Sequence, residues 1–156
     1  MRGDPAVIEA LNSILTAELT AINQYFVHAK MCRNWGFHRL AKHNRDESID
    51  EMKHADEVIE RILFLDGVPN MQRLGAVRVG EAVAEQSKLD LELELKAVKR
   101  YNGAIVQCGE KNDAGTRELL EELLKDEESS VDWHEAQIGL IQTLGVERYL
   151  AEQLEE

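Results

Sequence analysis

Residues 66–80 read DGVPNMQRLGAVRVG, the one long connection in a chain that is otherwise helical in pattern. Asp66-Gly67 and Pro69-Asn70 are turn-forming pairs that close the helix before them. That helix runs back from Leu65 to about Phe37, where Trp35-Gly36 separates it from a first helix opening at Asp4-Pro5. Aspartate before proline is an N-cap followed by the residue best tolerated at the first helical position. Beyond Gly80 a third helix is expected over about Glu81 to Glu110 and a fourth over about Ala114 to Leu144. Gly145 then precedes a short amphipathic tail, Val146 to Leu154. Fifteen extended residues reach roughly 50 Å at ~3.3 Å each. A helix of about 29 residues is about 43 Å long. The connection can therefore travel the length of a bundle, which makes the second and third helices parallel. The short joins make one and two, and three and four, antiparallel. The expectation is an all-α fold of four long helices with one long crossover and a short fifth C-terminal helix. One domain covers 1–156, with the bundle at about 5–144 and the last helix at about 146–154.

Composition supports this. A chain of 156 residues with 44% hydrophobic residues can bury a core. Its two prolines, Pro5 and Pro69, leave the stretch between them free for helix. The net charge of −12 argues against nucleic acid, whose phosphates call for a basic face, and suits the attraction of cations. Met1-Arg2 is followed by Gly3-Asp4-Pro5 without an apolar core, so no signal peptide is expected. No apolar run approaches the ~20 residues of a membrane span. Cys32 and Cys108 lack metal-type spacing and read as reduced thiols, so the expected location is cytoplasmic.

The apolar stripes show which residues face inward. Leu11, Glu18 and Tyr25 are spaced by seven in the first helix. In the second, Leu40, Val58, Ile62 and Leu65 mark the stripe, and Glu51 and His54 share it. Val83, Ser87, Glu94, Val98, Tyr101 and Ile105 line up in the third. Leu120, Glu127, Val131, His134, Ile138 and Ile141 do so in the fourth. Each helix thus offers a carboxylate to the core. A lone Glu-x-x-His binds metal roughly one time in ten and is more often a solvated face. Tyr25, Tyr101 and His134 read singly as core residues with a hydrogen-bonded polar tip, and Glu47 as an inward partner or a helix-end charge. Four carboxylates agreeing across four helices are different, because buried unpaired charges are very costly. They call for cations, and imidazole with carboxylate suits iron, manganese or zinc. Met52 points out of the bundle beside Ile49 and Ile59, next to Leu19, Ile22 and Phe26 on the first helix. Such an outward apolar patch implies a partner subunit. Asp46, Asp50 and Glu57 form a third, acidic face.

Met1-Arg2-Gly3-Asp4, Ala21-Ile22-Asn23-Gln24-Tyr25, Arg61-Ile62-Leu63-Phe64-Leu65, Gly67-Val68-Pro69-Asn70 and Lys125-Asp126-Glu127-Glu128 carry a resemblance over essentially the whole chain. So does the run Glu47 to Asp56, with the highly specific Glu51-Met52-Lys53-His54. The sequence resembles the bacterioferritins, whose fold is the ferritin-like four-helix bundle. The resemblance implies a di-iron ferroxidase centre. Glu18 and His54 would be terminal ligands of one iron, Glu51 and Glu127 bridges, and Glu94 a ligand of the second. It also implies a haem b shared by two subunits through Met52, and a 24-subunit cage built from two-fold dimers. The acidic face would line the cavity, and a ferredoxin would donate electrons for iron release. The chain departs at Ser130, where the family has a histidine, and the Asp46 position often carries histidine in the family.

The function so implied is iron storage and detoxification, with Fe(II) oxidised to Fe(III) and mineral laid down in the cavity. Two alternatives stand beside it. One is a haem-binding subunit with impaired ferroxidase activity that co-assembles with an intact bacterioferritin chain. The other is a di-metal redox enzyme of rubrerythrin or manganese-catalase type, though no Cys-x-x-Cys module appears.

Overall fold

The computed structural model describes residues 1–155; Glu156 of the expected domain lies outside them. The helices are α1 (Pro5–Asn34), α2 (His38–Phe64), α3 (Val83–Glu110), α4 (Ala114–Leu144) and α5 (Val146–Ala151). Asp4 caps α1, its side chain accepting from the Ala6 N–H at 2.8 Å, and Asp113 caps α4 by accepting from Thr116. α1, α2 and α3 end alike. Gly36, Asp66 and Asn112 adopt positive φ, and the next residue donates back to Cys32, Ile62 and Cys108 respectively. That is the Schellman arrangement, which satisfies the last carbonyls of a helix before the chain reverses.

α1 packs on α2 and on α3, and α3 packs on α4. The apolar core falls into two clusters. One holds Leu11, Ile14, Val58, Ile62, Tyr101 and Leu120; the other, at the opposite end, holds Cys32, Leu40, Ala41, Val83 and Tyr149. Between them each long helix contributes polar residues to the interior.

The crossover is held by a ladder on α1 that the apolar stripe does not reveal. Asn12, Thr16, Thr20, Gln24 and His28 recur every four residues and so share one face. Asn12 accepts from Asn70 N–H and donates to the Val68 carbonyl. Thr16 accepts from the Arg73 side chain, and Thr20 from Gly75 N–H. Gln24 accepts from Arg78 N–H and His28 Nε2 from Gly80 N–H. His28 Nδ1 then donates to Asp90 on α3 at 2.9 Å, and Gln24 donates to the same carboxylate. With partners on three sides, α1 is apolar enough to match a membrane span in length and composition, with an 18-residue window of mean hydropathy 1.2. The sequence reading expected no apolar run of that length, and α1 corrects it. Its apolarity belongs to a core helix, since Val7, Leu11, Ile14 and Leu15 are fully buried in the first cluster.

Two boundaries differ from expectation. α3 begins at Val83 because Gln86 donates to the Gly80 carbonyl and Ala82 stays extended. The last helix ends at Ala151 because the chain turns there to let the Gln153 carbonyl accept from Arg39 N–H. The inward stripe of α3 also runs through Gln86, Asp90, Ala97, Ala104 and Cys108, leaving Ser87, Val98 and Ile105 half-buried at its flanks.

The ladder makes a ranking measurable by chemical denaturation. His28→Ala leaves the buried Asp90 carboxylate with Gln24 as its one remaining side-chain donor and is expected to cost about 2 to 3 kcal/mol. Thr20→Val frees an N–H at the exposed Gly75, where water replaces the hydroxyl, and is expected to cost about 1 kcal/mol.

Candidate metal centre

The polar layer is assembled from four helices. Glu18 of α1, Glu51 and His54 of α2, Glu94 of α3 and Glu127 of α4 are all buried. Glu18, Glu51, His54 and Glu127 can each present one ligand atom with all four within 4.8 Å of one another. Glu47, Glu51 and Glu94 form a second such group, so Glu51 belongs to both. The sequence-predicted carboxylates therefore meet, and Glu47 joins them.

Hydrogen bonds hold one side of the carboxylates and leave the other bare. Tyr101 donates to Glu18 Oε1 and Tyr25 to Glu94 Oε1, both at 2.7 Å. His54 Nδ1 meets Glu127 Oε1 at 3.1 Å. The second oxygens of Glu18, Glu51, Glu94 and Glu127 are buried without a hydrogen-bond partner. Four orphaned carboxylate oxygens converging on one space fit cations, and the imidazole beside them suits a transition metal.

His54 stands in for such a cation. Its Nδ1 faces Glu127, Glu51 and Glu18, and its Nε2 lies 3.0 Å from Asp126 Oδ2. Burial favours the neutral ring, but the bond to Glu127 and the nearby Glu18 and Glu51 carboxylates outweigh it and raise its pKa. Burial also pushes Glu18 up, and the nearness of Glu51 and His54 reverses that and holds it below the usual value. Burial and the neighbouring Glu18 charge push Glu51 well up. Burial and Glu127 do the same to Glu94. Contact and burial thus bias His54 toward its charged form and Glu18 toward the ionised one, and Glu51 and Glu94 toward the neutral one.

Ser130 is buried on the inward face of α4 and donates to Glu47 Oε2 at 3.1 Å. Burial lifts the Glu47 carboxyl to about 7 against that opposing bond. His134 stands behind Tyr25, its Nε2 2.8 Å from the hydroxyl, rather than at the carboxylates. Tyr25 and Tyr101 are core residues with bonded hydroxyls, as their positions suggest. A cavity of about 370 Å³ reaches Glu18, Glu51, Glu94 and Glu127 from the crossover side past Ala21 and Arg100. Another, of about 420 Å³, reaches Glu51 and His54 from the α2–α4 side past Asp50 and Glu57. Met52 lies away from all this, 56% exposed on the outer face of α2, with Ile49 and Phe26 also exposed.

Residues 8–144 match the ferritin-like domain family. The chain is 51% identical to a bacterioferritin of Mycolicibacterium paratuberculosis over 152 residues, 97% of this chain and 96% of that protein. A bacterioferritin of Streptomyces coelicolor is 49% identical over 156 residues, all of this chain and 93% of that one. One from Rhodobacter capsulatus is 48% identical over 145 residues, 93% and 90% respectively. The chain belongs to the bacterioferritin family. Iron storage is its function, and neither alternative is favoured, whether a haem-binding subunit of a mixed cage or a di-metal enzyme of rubrerythrin or manganese-catalase type. The buried carboxylates and imidazole form a group able to hold a metal ion.

Sequence reasoning placed Glu47 inward, as a partner or a helix-end charge, without grouping it with the ligands, although its spacing of four from Glu51 was a usable signal. Two outcomes are expected. Carboxylate and imidazole groups bind metal in their deprotonated forms, so ferrous binding is expected to release acid and to tighten as pH rises. An indicator dye in weak buffer reads this directly, and binding without proton release would count against these groups as ligands. In anaerobic titration calorimetry, His54→Ala is expected to weaken the tighter ion about tenfold or more, beyond the loss from Ser130→Ala. Equal losses would show that the imidazole is no ligand.

Proposed function

We propose that this chain takes up Fe(II) at Glu18, Glu51, His54, Glu94 and Glu127, lets it be oxidised there, and stores Fe(III) in a closed 24-subunit cage. The observation that carries this is the set of four buried carboxylate oxygens without partners, drawn from four helices, beside one imidazole. Fe(II) is substrate and cargo. The residues bind it, bring two ions together through shared carboxylates, and shield them from bulk water. Tyr25 and Tyr101 hold the outer oxygens of Glu94 and Glu18, so the inner ones stay aimed at the ions. Asp126 holds His54 Nε2, which leaves Nδ1 for iron. The cavity past Asp50 and Glu57 supports a route from the centre to the acidic face expected to line the cage.

Met52 is proposed to ligate haem b, one thioether from each subunit of a two-fold dimer. The residues fit: a thioether must be exposed to reach a group between subunits, and Met52 is flanked by exposed Ile49 and Phe26. Leu74, Val77 and Val79 of the crossover extend the apolar face beside Phe26. A two-fold axis supplies the same soft ligand twice, a set that favours reduced haem. Bound there, haem supplies a path for electrons from a ferredoxin to stored ferric iron. A cytoplasmic location belongs to the same reading.

Ser130 raises the alternative that this chain is the haem-bearing member of a mixed cage whose partner bacterioferritin oxidises iron faster, which the comparisons do not favour. Stopped-flow absorbance of the homopolymer separates the two. The unmodified homopolymer is expected to oxidise iron without a fast phase of two irons per subunit, and Ser130→His to create that phase. A fast phase of two irons in the unmodified protein would show that Ser130 is no impediment. Met52→Leu, close in volume, is expected to keep the cage in analytical ultracentrifugation and lose the Soret band. Full haem content in that variant rules out the Met52 assignment.

A further inference from the structure

Ser130 spends its hydroxyl proton on Glu47, and this redirects the site. Glu47 lies one turn before Glu51 on α2, and Ser130 one turn after Glu127 on α4. The 3.1 Å bond between them spans the two helices. On the other side of Glu47, His43 Nε2 lies 3.6 Å from Oε1, and the His43 ring is itself stacked on Trp133 at 3.5 Å. The carboxylate is therefore held by Ser130 across from α4, with the His43 ring near its other oxygen but not bonded to it. It can bring one oxygen within 4.8 Å of ligand oxygens on Glu51 and Glu94. Glu51 and Glu94, at 2% and 1% exposure, each hold a buried Oε2 with no partner.

We propose that Glu47 is a direct ligand of a second, all-oxygen metal position shared with Glu51 and Glu94, and that Ser130 positions it. This rests on the reading of the buried cluster as a metal centre. The two positions then differ in kind. The one formed by Glu18, Glu51, His54 and Glu127 contains an imidazole nitrogen, and the one formed by Glu47, Glu51 and Glu94 has oxygen alone. Carboxylates suit hard divalent cations such as manganese, whereas imidazole suits zinc and iron. The chain thus builds an unequal pair of sites bridged by Glu51. The tighter site is for a borderline transition ion and the other for a harder one.

Manganese tests this in the unmineralised, assembled protein by electron paramagnetic resonance. At saturating Mn(II), two ions sharing Glu51 are expected to give the spectrum of a magnetically coupled pair. One equivalent of Zn(II) per subunit then converts it to the six-line signal of a single ion, because zinc takes the nitrogen-bearing position. Glu47→Gln is nearly isosteric and is expected to lose one ion per subunit and the coupling. Ser130→Ala is expected to weaken the second ion severalfold, and Ser130→Thr, which keeps the hydroxyl, to restore it. A coupled pair that survives Glu47→Gln overturns the proposal, as does a single uncoupled ion in the unmodified protein. Ser130→Thr failing to recover what Ser130→Ala loses removes the role of Ser130. No bound ion at all would remove the metal-centre reading together with the proposal.

Discussion

Buried carboxylates in a helical core cannot all be ionised without cations among them, and the rest of this molecule is arranged around that requirement. An uncompensated ion costs several kcal/mol to bury even after the surroundings relax. Burial pushes Glu51 and Glu94 toward the neutral form, and the carboxylates around His54 favour its charged form. Four buried carboxylate oxygens still have no partner.

Rigidity on either side makes this possible. Two apolar clusters flank the polar layer, so every long helix is anchored at both ends of it. The crossover adds a third support. Five α1 side chains at every fourth position take up its polar groups, and the last of them passes the connection on to Asp90 of α3. α1 is thereby fixed against α2, α3 and the crossover at once. It carries Glu18 and Tyr25 into the layer on the face next to that ladder.

The layer is not symmetric. α2 contributes Glu47, Glu51 and His54, whereas α4 contributes Glu127 and Ser130. One metal position therefore includes a nitrogen and the other, in our proposal, none. Cavities from opposite sides of the bundle reach this layer, one at the crossover and one between α2 and α4.

Much of this was legible before folding. The helices, the crossover and the inward direction of Glu18, Glu51, His54, Glu94 and Glu127 follow from periodicity and breakers, because a helix repeats every 3.6 residues whatever it packs against. Met52 faced outward by the same arithmetic, and Glu51-Met52-Lys53-His54 carried the family. What periodicity cannot report is which side chain on one helix meets which on another. The bond from Ser130 to Glu47, the tyrosines behind Glu18 and Glu94, and His134 held off by Tyr25 depend on how closely α1 to α4 approach. The same holds for the ladder under the crossover, whose polar residues look like an exposed face until the connection lies over them. The sequence by itself determined the helices and the chemistry each brings inward. Only the tertiary structure decided which groups share an ion, because distances between helices are set by packing and not by spacing along the chain.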